Sequence, residues 1–489
     1  MASAIRLAKS GYDVSIYEAS DRTGGKCRTE WFGDYGFDTG PSLLTLPAVY
    51  RDLFLKTGKR LEHILKIQPV DPAFAYHFAD GTQIDFPNLS IPAICAAIDE
   101  KFGQAAGNQW HNLMQRAEHM WDVSRTPYVE SELTSIWALL RRKGLLKDLK
   151  QIAPFTSLRT LTKRYTDNPY LLAILDRYAT YTGSDPRKVP AVLLTIAFVE
   201  STFGAWHIEG GIGKLSEALE DRARELGVKI HLRSEVASIL SEKNRAIGIE
   251  LHSGEIVLAD EVVANADAED VYNKLLPKKL RTVNSERKKL AKATKSLAGF
   301  TLLLGLDNSK SSTPSPAMQH HNIYFPENYD REFDQIFDEK VPVSDPTIYI
   351  CAPQDSTMTK GADKEAWFVL VNAPRHEPGV GHDWSTGSEK YAEQIIKKLD
   401  QLGLNVSQRL DFMEFRTPLH LQNTVAAPGG SIYGTSSNSS RAAFLRARNR
   451  SPLKNLYCVG GSAHPGGGLP LVGISAEIVA NAIAGGEKH

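Results

Sequence analysis

Apolar residues Ala2, Ile5, Leu7 and Ala8 fall near one helical stripe, and Gly11 stops the run as a C-terminal glycine does. From Tyr12 to Glu18 the period changes: Val14 and Ile16 alternate with Ser15 and Tyr17, as in a strand, and the run closes on an acid. Helix, turn, strand and acid is the order of a dinucleotide-binding βαβ unit, where an acid at that strand end accepts hydrogen bonds from the adenosine ribose. Glu18 is the candidate; the plainer alternative is that it only ends a strand. Near the other end, Asn455 to Ala484 predicts a strand, a glycine-rich turn and a helix, with Val472-Gly473 opening that helix.

Between these ends, Trp206 to Leu219 predicts a turn at Gly210-Gly211 followed by a helix, and Val228 to Ile239 a strand. Ala246 to Asp267 adds strands around a hairpin turn at His252-Ser253-Gly254, ending in Asn265-Ala266-Asp267, so that a β-meander is expected there. Residues 290–420 mix strands such as AGFTLLLGL and WFVLVNAP with a polar loop from Asn308 to Pro316. Residues 130–165 differ in character. Leu133, Ile136, Trp137, Leu139, Leu140, Leu145, Leu146 and Leu149 are interleaved with Arg141, Arg142, Lys143, Lys147 and Lys150 at helical spacing. That pattern fits a segment lying in a membrane interface, and equally surface helices with basic outer faces. Tyr178 and Tyr181, three apart, share a face that either flanks a substrate or packs in the ordinary way.

The chain has 489 residues, more than one hydrophobic core usually supports, so two or more domains are expected. With 42% hydrophobic residues and no run of the roughly eighteen apolar residues a spanning helix needs, it is expected not to cross a membrane. Lys plus Arg and Asp plus Glu are balanced at 57 each, which removes the argument for a nucleic-acid partner. Cys27, Cys95, Cys351 and Cys458 are scattered without CxxC spacing, and no secretion signal opens the chain, so a cytoplasmic, reducing location is expected. His320-His321 and the histidines from His376 to His382 lack ligand spacing, so no metal site is expected.

Two glycine-rich stretches carry the chemistry. Asp21 to Thr29 sets Gly24-Gly25 among Arg22, Lys26 and Arg28; glycines admit close backbone approach, and the cations suit a pyrophosphate. Gly40, Pro41 and Ser42 form a turn flanked by apolar residues. Gly460-Gly461 and the His464 to Gly468 loop would let backbone approach the edge of a ligand, and the positive end of the helix that follows would stabilise negative charge on it. His464 is the titratable side chain of the loop, either relaying a proton or orienting the loop.

EASDRTGGKCRT followed by DTGPSLLT resembles the FAD-binding N-terminus of the carotenoid desaturase family, which includes bacterial phytoene desaturases and hydroxycarotenoid 3,4-desaturases. RYATYTGSDP looks closest to the 3,4-desaturases, and PGGSIYG to members acting on diapocarotenoids and hydroxycarotenoids. The resemblance implies an α/β fold: a Rossmann-like FAD-binding domain (1–95, 205–290 and 421–489) with an interleaved α+β substrate and membrane-associating domain (96–204 and 291–420). It implies a backbone role for Val236 at adenine, and Tyr178 and Tyr181 beside a polyene. It also implies desaturation of a hydrophobic carotenoid taken from a membrane surface, hydride loss to FAD, reoxidation by quinone or oxygen, and peripheral membrane association in the cytoplasm. In the family a strand and a GxGxxG loop precede the helix resembling AIRLAKSGYDV, so the expectation is a start site assigned late, or a chain cut short. Two further readings are an amine-oxidase-like flavoprotein, which usually wants an aromatic cage, and an inactive carotenoid-binding homologue.

Overall fold

A computed structural model describes residues 1–133, 145–439, 442 and 446–485. The opening helix forms over Ala2–Lys9 and buries Ala4, Ile5 and Leu7. The strand Ser15–Tyr17 follows and pairs in parallel with Lys229–His231. A second parallel pair joins Val262–Ala264 to Leu456–Cys458. The closing helix, Leu469–Ile483, lies against the opening one: Ser3 Oγ donates to the Ala476 carbonyl at 3.1 Å, and Arg6 pairs with Glu477 at 3.2 Å. Helices Ala48–Thr57 and Gly213–Glu225 complete this layer through Phe54, Leu215 and Ala223, packed with Ile5 in one core. The two ends of the chain thus build one α/β layer, as the local patterns predict.

The stretch expected as one strand from Val228 to Ile239 is two, Lys229–His231 and Val236–Glu242. The break has a local cause. The Arg233 and Ser234 amides turn to donate to the carbonyls of Ser20 and Glu18, at 2.8 Å each, with Arg233 at a φ of 52°. Beyond it, Val236–Glu242, Arg245–Leu251 and Ile256–Leu258 form the expected antiparallel meander.

The second layer is a seven-stranded sheet in the order Leu410–Arg416, Ala298–Asp307, Lys364–Ala373, Ile348–Cys351, His321–Tyr324, Phe74–His77, Gln83–Phe86. Its centre pairs Ala298–Asp307 with Lys364–Ala373 over ten positions. One face is covered by the helix Ser388–Gln401, whose Tyr391, Ala392, Ile395 and Leu399 meet Phe300, Leu302 and Trp367. The edge pair corrects the boundary expected at residue 95. Phe74–His77 joins His321–Tyr324 in parallel, so residues 74–86 belong to the seven-stranded sheet. The reason is apolar: Phe74, Tyr76 and Phe86 bury against helices Ile91–Phe102, Gln104–Ser124, Pro169–Arg177 and Leu194–Phe203, with Trp110 edge-on to Phe86 at 5.2 Å. No helix among the described residues is long and apolar enough to cross a membrane.

Candidate active site

Glu18 stands where the first parallel strand ends. Its amide donates to the His231 carbonyl at 2.9 Å, its carboxylate accepts from the Ser20 amide at 2.9 Å, and the preceding Tyr17 ring stacks on His231 at 4.6 Å. The N-terminal end of the opening helix faces it: the Met1 amine is buried, which lowers its pKa, while the Glu18 charge acts in the opposite sense. An acid beside a helix N-terminus is the electrostatic pattern of a nucleotide cradle.

The Gly24-Gly25 turn follows. The Cys27 amide donates to the Gly24 carbonyl at 3.0 Å, and Ser216 Oγ to the Cys27 carbonyl at 2.7 Å, which fixes the turn on the Gly213–Glu225 helix. Lys26 Nζ points inward to the Ile432 carbonyl at 3.0 Å, and burial lowers its pKa. Arg28 Nη2 reaches Ser20 Oγ at 3.2 Å, while its buried Nε finds no partner among the described residues. Arg22 is turned away, paired with Glu30. Gly40 lies so close to this turn that a Cβ there would collide with the Lys26 carbonyl. Asp38, just before it, accepts from Thr29 Oγ1 at 2.6 Å and the Ile212 amide at 2.9 Å, and burial lifts its carboxyl to about 6.

The C-terminal loop meets this region from the other side. Arg446, which sequence reasoning did not single out, is its clasp: its guanidinium donates to the carbonyls of Gly461 at 2.8 Å, Tyr433 at 3.2 Å and Thr435 at 2.7 Å, joining the 428–434 turn to the 460–468 loop. Burial lowers its pKa to about 10. The last helix opens at Leu469 with Gly468 as cap, four residues before Gly473. The Val472 amide already bonds back to the Gly468 carbonyl at 3.0 Å. Among the described residues, the amides of Leu469 and Leu471 at that helix end are left for a ligand, Pro470 having none. Gly473 serves packing, since a Cβ there would sit 2.6 Å from Val49 Cγ1.

His464 is 5% exposed. Its Nε2 donates to the Ser131 carbonyl at 3.0 Å, and its own carbonyl accepts from Asn449 Nδ2 at 2.9 Å and Ser475 Oγ at 2.8 Å. Burial pushes its pKa down to about 4. A neutral imidazole bound on this side to backbone orients the loop.

A family model for flavin-containing amine oxidoreductases matches residues 1–309, more than half of the chain. The chain belongs to this family.

The oxidoreductase is 33% identical over 500 residues to a 1-hydroxycarotenoid 3,4-desaturase of Flavobacterium sp. (strain P99-3), covering 99% of this chain and 96% of the relative. It is 31% identical over 494 residues to a 4,4'-diapolycopene oxygenase of Methylomonas sp., covering 99% and 95%. Among solved structures, an oxidoreductase from Methanosarcina mazei superposes with a TM-score of 0.63 at 15% identity over 99% of this chain and 97% of that one. A redesigned putrescine oxidase does so with a TM-score of 0.62 at 12% identity over 99% and 95%. The chain is a carotenoid desaturase-like, FAD-dependent oxidoreductase. Its residues fit FAD: Arg28 holds an orphaned buried donor, and a Cβ at Gly25 or Gly468 would meet nothing within 4 Å, leaving backbone open to a ligand.

The oxidoreductase sets an apolar wall against this cradle through residues 40–46. Leu44 joins the core of the opening and Gly213–Glu225 helices and is bridged to Trp206, whereas Leu43 and Leu46 pack against the core of Phe74, Tyr76 and Phe86. Ser42 Oγ lies 2.8 Å from Tyr349 OH, which lies 2.8 Å from His321 Nδ1. Tyr178 and Tyr181 sit on a 3-10 turn, Tyr178–Thr182, and their hydroxyls are committed: both donate to Glu200, at 2.7 and 2.6 Å. Arg177 completes the cluster, donating to Glu200 at 3.0 Å, to Tyr76 OH at 3.0 Å and to Tyr181 OH at 2.9 Å. Its guanidinium lies 4.6 to 5.4 Å from the ring centroids of Phe74, Tyr76, Tyr178 and Tyr181. Glu200, a lone acid in the apolar run LTIAFVESTF, was the sequence signal for such a partner. Spacing along the chain pointed to no metal ligands, yet strand pairing gathers His320, His321 and Cys351, whose ligand atoms lie within 4.8 Å of one another. Trp137, Leu140, Arg141 and Arg142, expected in the membrane segment, lie outside the described residues.

Proposed function

We propose that this oxidoreductase removes two hydrogens from a saturated carbon–carbon bond next to a carotenoid polyene, as a phytoene desaturase or a hydroxycarotenoid 3,4-desaturase does. The observation that carries the reading is the 40–46 segment, which inserts Leu43 and Leu46 into an aromatic and aliphatic core directly beside the Gly40 turn. A polyene needs such a wall, and the buried charges of Arg177 and Glu200 on the same core are paired with each other. FAD, when bound, accepts the hydride. Glu18 holds the adenosine ribose, the Val236 backbone the adenine, and Gly24, Gly25, Lys26 and Arg28 the pyrophosphate. Gly40, Pro41, Ser42, Gly460 and Gly461 approach the ring with backbone, and the amides of Leu469 and Leu471 offer it the positive end of the last helix. His464 keeps the loop in place; the proton leaves carbon without a protein base assigned to it. A quinone or oxygen would serve as the electron acceptor.

A second reading, oxygenation of a terminal methyl group, is favoured by the 31% identity to the diapolycopene oxygenase. Flavin-loaded enzyme supplied with phytoene, hydroxylated carotenoid and diapocarotenoid in liposomes separates the two by product mass. Desaturation gives a loss of two hydrogens and a red-shifted absorption. Uptake of labelled oxygen from O2 would replace that reading with the second, and unchanged pigment from every substrate would remove both.

Access from a membrane surface is part of the proposal. Phe155 is 87% exposed, beside a cleft of about 600 Å³ rimmed by Arg116, Lys150 and Arg164. An exposed aromatic ringed by cations suits anionic lipid. Phe155→Glu is expected to weaken binding to vesicles containing phosphatidylglycerol; unchanged binding would sever this face from the membrane.

A further inference from the structure

We propose that His320, His321 and Cys351 bind one divalent ion of the borderline-soft class, zinc being its representative, where the substrate sheet meets the Gly40–Ser42 turn. The register of the sheet creates the site: His321 lies directly opposite Cys351 across an antiparallel pair, and His320 precedes it by one residue. All three are buried, at 8, 0 and 1% exposure. The Nε2 atoms of both histidines are buried without a partner among the described residues. One ligand atom from each of the three side chains lies within 4.8 Å of the other two, close enough for a single cation to accept a lone pair from each.

The surroundings have the form of an outer ligand shell. His321 Nδ1 is held at 2.8 Å by Tyr349 OH, and its Nε2 has no hydrogen-bond partner among the described residues. The Ser42 hydroxyl lies 2.8 Å from that of Tyr349, which ties the Gly40–Ser42 turn to this part of the sheet. The His207 ring lies 4.8 Å from that of His320 and is itself fixed by Asp355, 2.8 Å from its Nε2, while Asp355 also accepts from the Gly210 amide at 2.8 Å. Outer groups that fix imidazole orientation are what metal ligands require. Two neutral imidazoles and one thiolate suit zinc, cobalt or copper rather than magnesium or calcium, and three protein ligands leave a fourth position open. The ion would link the His321–Tyr324 and Ile348–Cys351 strands next to Ser42 without taking part in electron transfer.

The test uses the full chain in its flavin-loaded form, stripped with a chelator and titrated with Zn2+ and separately with Co2+. About one zinc per chain is expected, with a sulfur-to-cobalt charge-transfer band and the red d–d bands of a four-coordinate site, which lie clear of flavin absorption. Cys351→Ser should abolish the charge-transfer band. Tyr349→Phe, which keeps the ligands and the ring packing, should weaken zinc binding about 10- to 100-fold. Retention of no more zinc by wild-type protein than by Cys351→Ser, or a cobalt spectrum lacking the sulfur band, would overturn the proposal. If the ligand variants do not fold, the wild-type cobalt spectrum decides alone.

Discussion

Replacing Glu200 by Gln isolates the charge on which the substrate-side cluster depends. The side chains of Arg177 and Glu200 are 8% and 5% exposed and 3.0 Å apart. Removing one partner of such a pair leaves the other charge buried and uncompensated, which costs about 3–5 kcal/mol. Four aromatic rings surrounding the guanidinium, the nearest at 4.6 Å, cushion that loss. At about 0.5–2 kcal/mol for a cation–π contact, they hold the expected cost of Glu200→Gln near the lower end, about 3 kcal/mol. The amide keeps an acceptor for one tyrosine hydroxyl but not for both. Arg177→Met strands the carboxylate instead and should cost a similar amount, while the double variant should fall short of the sum by about 2 kcal/mol or more. Calorimetry of flavin-loaded protein reads this as a fall of about 6–12 °C for each single variant, taking about 2–4 °C per kcal/mol for a large domain. If both single variants and the double variant melt within about 2 °C of wild type, the cluster is packing alone and the electrostatic reasoning fails.

Three further expectations follow from the same geometry. Gly40→Ala would drive a methyl into the Lys26 carbonyl, so flavin retained on purification should fall to near zero, whereas Gly11→Ala, outside the cradle and with nothing within 4 Å of the added methyl, should lose only about 1 kcal/mol to its positive φ and keep flavin; equal flavin-to-protein absorbance in both would refute the close approach. His464→Gln should cost about 1–3 kcal/mol through its hydrogen bond to the Ser131 carbonyl and leave the pH profile of turnover in place; loss of one limb of that profile would make His464 a proton carrier. Since the pKa of His464 is pushed down to about 4, the unfolded chain takes up the proton first, and the stability it contributes above pH 6.5 drains away as pH falls toward 4. Glu332 has the opposite sign. Burial raises it to about 7, so native protein is relatively most stable below pH 4.5 and loses about 3 kcal/mol as pH rises through 7. Glu332→Gln should flatten that slope, with Asn372 reversing its amide to accept; a slope that persists in urea titrations between pH 5 and 7 would assign it elsewhere.

What could be read from the sequence was what neighbouring residues encode. The opening helix, the Ser15–Tyr17 strand and the closing strand, loop and helix rest on periodicity and glycine within a few residues. The start of the last helix was misplaced because a Leu-Pro-Leu run hides a cap supplied by Gly468. The boundary at residue 95 failed for a different reason: Phe74–His77 has the alternation of any strand, and only its partner, Asn322 opposite Ala75, says which sheet owns it. His320, His321 and Cys351 were invisible for the same reason, since the register joining them spans thirty residues. Arg446 acts through carbonyls of residues on two separate loops, and a carbonyl leaves no mark in a sequence.

That parallel join between Phe74–His77 and His321–Tyr324 also governs how the molecule comes into being. A ribosome that has released Phe86 must add 235 residues before His321 exists to receive the hairpin edge. At about 5–20 residues per second, the wait is roughly 10–50 s. Throughout it, Phe74, Tyr76 and Phe86 have only the helices between residues 91 and 203 to shelter them. The nascent chain must therefore park this ribbon on its helices or on a chaperone, and a strand edge left waiting so long is where its biogenesis is most exposed to aggregation.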